Sequence, residues 1–322
     1  MPNINDKVTI FTASMRSEFL QAYEALRAGI KITPWTSFVQ RVASTARIEQ
    51  YPWMSPPPRL KRWLGRRNYT RPDWSKYKVE NLEYSAEEAV LLRDIEDDQT
   101  GGYGTRMQMM AADVADFPGR ESLKLLRDNG PCFDGSNFFA TSHNIGSGNN
   151  ALTKDCAAND GSTNTVVALL KTPGLKPIIW QDRKDKGLED NGNSPQSKEE
   201  KQVKFWYDFE GAAAFGFWWS AVKMTVTDLP TVNEVEEIIK AVELAFRGFK
   251  LDKADPADDE WWPNEQLTFS ADTITYIVNP SLENLFRAVF TSETIQAGTA
   301  GGTKTNVYRG HGDLLVSNYL GA

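Results

Sequence analysis

A proline-rich basic segment, residues 51–72, constrains the fold more than any other part of this sequence. Its prolines deny backbone donors to a sheet and favour extended or turn geometry; they are Pro52, Pro56, Pro57, Pro58 and Pro72. Its basic residues, with no acidic residue among them, are Arg59, Lys61, Arg62, Arg66, Arg67 and Arg71. The segment has little means of burying a core of its own, so we expect another molecule to order it.

Two kinds of partner suit this segment. Basic residues interleaved with Trp53, Trp63 and Tyr69 could form a nucleic-acid patch. The alternative is a charged arm that docks on an acidic protein surface. The whole chain carries a net charge of -7, which argues against general attraction to nucleic acid, because phosphate binding needs a positive surface.

A strand and a long helix follow the basic segment. From Lys78 to Glu87 apolar residues alternate with charged ones, which predicts a half-solvated strand in a long ribbon or hairpin arm. Gly101 and Gly102 predict a turn. Apolar residues then recur at helical spacing from Tyr103 to Asn129. Pro118 lies in the middle, so we expect a kink or two consecutive helices.

Several motifs along the chain together resemble one protein family. They are Trp63-Leu-Gly, Val79-Glu-Asn-Leu-Glu, Asp94-Ile-Glu-Asp-Asp-Gln with Tyr103-Gly, the run from Cys132 to His143, Lys176-Pro-Ile-Ile-Trp-Gln, Phe215-Gly-Phe-Trp and the ending from Tyr308 to Leu320. Their order resembles the major head subunit of Mu-like phages and prophages, from Trp63 to the C-terminus. The resemblance implies an α+β Hong Kong 97-like capsid fold, in which the ribbon is the extended loop and the helix is the spine.

The resemblance also implies a division of the chain. We expect an N-terminal arm (1–50), an extended loop (51–82), a peripheral domain with the spine helix (83–136), an axial domain (137–292) and a C-terminal return to the peripheral domain (293–322). The first helix, Ile4 to Gly29, is amphipathic. Two placements remain open for it: an arm lying on a neighbouring subunit, or a core helix of the same subunit.

The implied function is that of a major capsid protein, which forms hexamers and pentamers of an icosahedral shell around double-stranded DNA. Implied partners are other copies, a portal, a scaffold or protease, and decoration proteins; the implied location is the virion, with assembly in the host cytoplasm. With this resemblance we favour protein docking for the basic arm. The candidate contact residues between subunits are Arg59, Arg62, Trp63, Arg66, Arg67, Arg71, Asp94, Asp97 and Asp98. A second acidic dock is the run from Asp252 to Glu260.

Other functions stay open as alternatives: a tail or connector subunit, or a hydrolase or carbohydrate-binding enzyme. No nucleophile elbow, phosphate-binding loop or His-Glu-x-x-His pair occurs in the sequence. His143, near Cys132 and Asp134, suggests a hydrolytic or metal site, but its polar setting favours a hydrogen-bonded structural histidine. We therefore expect no catalytic residue, cofactor or metal. No apolar run is long enough for a membrane span.

The remaining patterns predict the body of the protein. Residues 182–201 are polar and predict a surface loop, whereas the aromatic residues of 205–222 predict core and subunit-contact area. Further elements are predicted at Thr163–Leu170 (a strand or short helix), Pro177–Gln181 (a strand), Thr231–Phe249 (a helix), Thr273–Val278 (a strand), Pro280–Val289 (a helix) and Asp313–Ser317 (a strand). We expect Ile238, Ile239, Val242, Ile274, Ile277 and Leu285 in one interior.

Overall fold

The computed structural model describes residues 3–29, 35–51, 65, 77–97, 101–171, 176–251, 261–297 and 302–320. Its helices are α1 (Ile4–Gly29), α2 (Leu92–Glu96), α3 (Tyr103–Asp128), α4 (Pro195–Glu200), α5 (Val232–Gly248) and α6 (Glu283–Thr291). Its strands are β1 (Val39–Ala43), β2 (Ile48–Gln50), β3 (Lys78–Glu80), β4 (Leu82–Leu91), β5 (Ala151–Asp155), β6 (Thr163–Leu170), β7 (Ile178–Asp190), β8 (Gln202–Phe215), β9 (Ala221–Thr227), β10 (Ile274–Val278), β11 (Thr294–Ala297), β12 (Gly302–Thr305) and β13 (Asp313–Val316). The predicted α+β class is confirmed.

The first sheet has the strand order β1-β7-β8-β4. Strand β1 lies parallel to β7, and the other neighbours are antiparallel. Strand β4 alternates as predicted: Glu83 and Glu87 are exposed, while Tyr84 is half-buried and Val90 is buried. It is not a free ribbon, however, because all ten of its residues pair with β8. The prediction of a hairpin arm is wrong for this strand, which forms an edge of the sheet.

Helices α1 and α3 pack against each other and against the first sheet. Helix α1 buries Val8, Phe11, Met15 and Phe19 along one face, the spacing that an amphipathic helix requires. The Phe19 and Tyr207 ring centroids lie 5.5 Å apart. The first helix therefore packs in the core of the same subunit, the second of the two placements left open, while the division of the chain into an arm and domains stays a prediction. No described helix is both long and apolar enough to cross a membrane.

Helix α3 is a single helix with Pro118 inside it, so of the two predicted alternatives the chain does not form two consecutive helices, and the kink at Pro118 stays a prediction. Trp35, buried to 2 % exposure, packs directly against the helix at this point. A Cβ atom added at Gly119 would lie 2.4 Å from Trp35 Cδ1. One turn later the Ser122 hydroxyl donates to the Pro118 carbonyl at 2.7 Å. Tertiary packing thus holds the helix together where local preference would break it.

The predicted surface loop at 182–201 is also wrong. Strand β7 continues to Asp190 with two irregularities in register, and α4 then leads into β8. Cross-strand polar contacts line this hairpin: Trp206 Nε1 donates to Glu189 Oε2 at 3.0 Å, and Lys186 lies 3.3 Å from Asp208. These residues are polar because the strands face solvent there.

The second sheet has the order β13-β10-β6-β9-β5, and α5 and α6 pack on it. The Thr231 side chain and Glu234 form a capping box at the start of α5. Five of the six predicted interior residues are fully buried, namely Ile238, Ile239, Val242, Ile274 and Ile277. Leu285 is partly buried against the same core. The predicted packed unit is confirmed.

An aromatic cluster joins the two sheets where β8 of the first leads, through a short 3₁₀ turn at Trp218–Ser220, into β9 of the second. The Phe138 and Phe215 rings stack at 4.3 Å, and Trp218 meets Phe249 edge-on at 5.2 Å. We call the cluster of Phe133, Phe138, Phe215, Phe217, Trp218, Trp219 and Phe249 the aromatic junction. The prediction that residues 205–222 supply core is confirmed.

Candidate assembly site

The strands on either side of residues 52–76, β2 and β3, form a short two-stranded ribbon. These strands pair antiparallel, and the Tyr51 amide continues the ladder by donating to the Tyr77 carbonyl at 3.1 Å. Tyr51 and Tyr77, which flank residues 52–76, therefore lie next to each other beside the first sheet. We call residues 44–51 and 77–81 the loop base.

Two tyrosines fasten the loop base to neighbouring strands. Gln181 Nε2 of β7 donates to the Tyr51 hydroxyl at 2.5 Å, and the Phe215 amide of β8 donates to the Tyr77 hydroxyl at 2.9 Å. The two ring centroids lie 6.3 Å apart. Burial raises the pKa of Tyr51 to about 12 and that of Tyr77 well above its ordinary value. Both hydroxyls therefore stay neutral.

The turn before β2 is closed by a polar network. Glu49 Oε1 accepts hydrogen bonds from the amides of Thr45 and Ala46 at 2.8 and 3.0 Å. The bonds from Ala46 and Thr45 lower the pKa of Glu49. Asn81, 5 % exposed, donates to the Ser44 hydroxyl at 2.8 Å and to the Ala46 carbonyl at 2.9 Å. The loop base is thus fixed by contacts within the body.

The predicted contact residues divide between described and undescribed parts of the chain. Those outside the described residues are Arg59, Arg62, Trp63, Arg66, Arg67, Arg71 and Asp98. Asp94 accepts a hydrogen bond from the Tyr103 hydroxyl at 3.0 Å, and Asp97 is exposed at the end of α2. Both follow β4, whereas the loop base precedes it. A ten-residue strand spans about 30 Å, so the two regions lie at opposite ends of one strand.

The second acidic dock, the run from Asp252 to Glu260, also lies outside the described residues. Its flanking residues are held together, since the Leu251 amide donates to the Trp261 carbonyl at 2.8 Å. The residues that flank the acidic run are therefore paired with each other, as are those that flank residues 52–76.

His143 was the other candidate, and the structure brings it together with Cys132 and Asp134. The His143 side chain is fully buried, with Nδ1 3.1 Å from Asp134 Oδ2 and Nε2 3.1 Å from Asn150 Oδ1. Its ring stacks on Trp218 at 3.9 Å. Cys132 Sγ donates to Asp134 Oδ1 at 3.0 Å. The hydrogen-bonded histidine that the sequence predicts is confirmed.

Hydrogen bonds to the backbone fix the orientation of the Asn150 side-chain amide beside His143. Asn150 Nδ2 donates to the carbonyls of Phe138 and Trp218, and Asn150 Oδ1 accepts from the Ala140 amide. Nδ1 and Nε2 of His143 therefore each face an oxygen, Oδ2 of Asp134 and Oδ1 of Asn150.

The contacts within this cluster also shift the pKa values of Asp134 and Cys132. Burial alone would raise the pKa of Asp134, but hydrogen bonds from His143, Cys132 and Ser136 hold it well below its usual range. Burial, then the contact with Asp134, raises the pKa of the Cys132 thiol. A protonated thiol is neither a nucleophile nor a metal ligand. The cluster instead fastens the segment after α3 to the aromatic junction.

Comparison with known proteins gives matches along nearly the whole chain. A family model described as "Mu-like prophage major head subunit gpT" matches residues 8–320. The major capsid protein of Escherichia phage Mu is 25% identical over 321 residues, covering 96% of this chain and 98% of that protein. The Mu-like prophage FluMu major head subunit of Haemophilus influenzae is 27% identical over 229 residues, covering 66% of this chain and 72% of that protein.

Solved structures show the same fold. The procapsid of bacteriophage JBD30 matches with a TM-score of 0.67 at 20% identity, covering 96% of this chain and 98% of that chain. The JBD30 capsid matches with a TM-score of 0.68 at 19% identity, covering 89% and 91%. The predicted phage capsid fold is therefore confirmed.

Proposed function

Because this chain belongs to the family of Mu-like prophage major head subunits, we propose that it assembles into the hexamers and pentamers of an icosahedral phage head. Its role is structural: it is a major capsid protein of a tailed phage and not an enzyme. The observation that carries this function is the family match from residue 8 to residue 320, on a chain with the capsid fold.

The proposed contact between subunits is made by the basic segment. Six basic residues stand between Arg59 and Arg71 with no acidic residue among them. Asp94 and Asp97 lie just after β4, and we propose that they form an acidic dock together with Asp98, the next residue in the sequence. We propose that this dock receives the basic segment of a neighbouring copy, since the two carry opposite charge. Charge complementarity then sets the register of the contact.

A deletion tests this contact. Removing residues 55–72 should leave a folded subunit, since the loop base is held by hydrogen bonds to β7 and β8. Without the segment, closed shells should be absent. Circular dichroism would check the fold, and negative-stain microscopy would check assembly. Normal shells from the deleted chain would overturn the proposed contact.

Other partners follow from the head role. We propose that the shell encloses double-stranded DNA without sequence-specific binding, which suits a net charge of -7. Assembly would take place in the host cytoplasm with a portal and a scaffold or protease. A decoration protein is also proposed; one JBD30 capsid is decorated with minor capsid protein trimers. Isolated subunits should not shift a DNA duplex in a gel at physiological salt.

A further inference from the structure

A cavity of about 280 Å³ lies between α1, α3 and the first sheet. Protein interiors are close-packed and hold few spaces larger than a water molecule. An apolar cavity of about 150 Å³ is already large enough to bind benzene. A cavity of the size seen here therefore suits a bound molecule of one or two rings.

Aromatic side chains from three parts of the fold line this cavity, namely Tyr23, Trp35, Tyr84, Phe117, Tyr207 and Phe209. The Tyr84 and Phe117 rings meet edge-on at 4.6 Å, which ties β4 to α3. The Tyr23 and Tyr207 rings lie 6.1 Å apart, which ties α1 to β8. The walls are thus preformed, and their rings favour a flat apolar ligand that can stack or make edge contacts.

Arg27 supplies a positive charge at this cavity. The other two arginines of the lining, Arg41 and Arg120, each make a hydrogen-bonded ion pair with a neighbouring aspartate, at 2.6 and 2.5 Å. Arg27 comes no closer than 3.9 Å to Asp185, and its side chain is 49% exposed. Of the described arginines that line the cavity, only Arg27 therefore keeps its guanidinium donors for another anion.

Asp185 does not take up these donors because it is engaged by two tyrosines. Its carboxylate oxygens accept hydrogen bonds from the hydroxyls of Tyr207 at 2.6 Å and Tyr23 at 3.2 Å. Burial, then the contact with Asp185, holds the pKa of Tyr207 well above its ordinary value, so this hydroxyl keeps its proton. A guanidinium binds a carboxylate through two parallel hydrogen bonds, so a ligand carboxylate suits Arg27.

We propose that this cavity binds a small planar carboxylic acid, with its rings between the aromatic walls and its carboxylate on Arg27. The inference goes beyond the proposed head function, because the site is built from one subunit and needs no contact between copies. A ligand seated there contacts two helices and the sheet at once, and it stabilises the folded subunit as its concentration rises.

Isothermal titration calorimetry of unassembled full-length subunits tests the proposal, with 2-naphthoate and its neutral amide, 2-naphthamide, as probes. Naphthoate should bind more tightly than naphthamide and should raise the melting temperature. Arg27→Gln should weaken naphthoate binding roughly tenfold, the effect of one hydrogen bond to a charged group, and leave naphthamide binding unchanged. The matched control is Arg287→Gln, which removes an exposed arginine beside Glu283 on α6 and should change neither affinity.

Filling the cavity provides the second test. Ala86→Leu from the sheet and Val114→Phe from α3 should each abolish the binding of both probes. Ala89→Leu, at an exposed position on the opposite face of β4, should leave binding unchanged. Circular dichroism would check the fold of each variant. Arg27 is exposed and its variant should keep the fold, so the comparison of the two probes decides even if a filled variant unfolds.

Three outcomes would overturn the inference. The first is no naphthoate binding by the unaltered chain at millimolar concentration. The second is equal binding of the two probes with no effect of Arg27→Gln. The third is unchanged binding in folded Ala86→Leu, which would place the probes elsewhere on the subunit. Each of these measurements is made on unassembled subunits, so the proposed function would stand in all three cases.

Discussion

Strand β10 of the second sheet is buried along its whole length, whereas strand β4 of the first sheet buries only Val90. Helices α5 and α6 pack on the second sheet. The first sheet is covered by α1 and α3, but its edge and its loop base carry charged groups, such as Glu88 paired with Arg106 at 2.7 Å. The comparison shows a difference in exposure: the central strand of the second sheet lies wholly in an apolar core, whereas the edge strand of the first sheet keeps a charged, solvent-facing side.

The largest loss of folding stability is expected from a change beside the aromatic junction, where the two sheets meet. Asp134→Asn replaces one carboxylate oxygen by an amide nitrogen, so buried donors such as the Cys132 thiol and the Ser136 amide compete for one acceptor, at a cost of about 1–3 kcal/mol for each donor left unsatisfied. Urea unfolding of soluble subunits would measure this loss. An unchanged midpoint would show that the two sheets hold together without the pair.

The pH dependence of unfolding sharpens the same test. The folded-state pKa of Asp134 lies below its unfolded value of about 3.9. Its contribution to stability is therefore present above pH 4 and is lost as the pH falls below that value. The loss between about pH 4 and pH 3 should be smaller in Asp134→Asn than in the unaltered chain.

Truncating a core side chain in the second sheet region should cause the next largest loss of folding stability. Ile239 has 0% exposure, so Ile239→Ala should lower the free energy of unfolding by roughly 2–5 kcal/mol. Leu244, on the same helix but 60% exposed, provides the control, and Leu244→Ala should change it by less than about 0.5 kcal/mol. Equal effects from the two variants would contradict the described face of α5.

The smallest effect on stability, but a clear effect on assembly, is expected from charge reversal in the basic segment. Single exposed pairs contribute only about 0–1 kcal/mol, yet the contacts recur in every subunit. Arg66→Glu with Arg67→Glu should slow DNA-free assembly, measured by light scattering, without changing the melting temperature. Lysine substitutions at Asp94 and Asp97 should partly restore the rate.

One outcome of the charge reversal would instead indicate that the basic segment contacts nucleic acid. If DNA-free assembly is unchanged and only the amount of packaged DNA falls, the basic segment faces nucleic acid. The protein dock would then be wrong, while the deletion experiment would still decide whether the segment is needed for shells.

Local patterns in the sequence were sufficient for much of the fold. The helix at Ile4–Gly29 and the strand at Thr163–Leu170 have the predicted bounds, because apolar periodicity and flanking glycines are local signals. The continuation of β7 beyond Gln181 was missed, since its order comes from pairing with β8. The sequence left open whether the helix would continue past Pro118, because the packing of Trp35 against it comes from another part of the chain.

The loop base shows why the candidate site was only partly predictable. The acidic and basic runs are visible as composition, but Gln181 and Tyr51 are 130 residues apart in sequence. Tyrosines at both ends of the basic segment were the available signal, together with a glutamine directly after an apolar run. Hydrogen bonds between distant residues leave no periodic pattern, so neither residue was singled out.

The continuity of α3 has a mechanical consequence. A helix of 26 residues with a rise of 1.5 Å per residue is about 39 Å long, and here it has no break at its proline. One end begins at Tyr103, whose hydroxyl contacts Asp94 at the acidic dock. The other ends at Asn129, whose side chain bonds the backbone of Phe139 beside the aromatic junction. The helix therefore connects Asp94 to the aromatic junction; under the proposed subunit contact, a force at the acidic dock would be carried along its length to that junction.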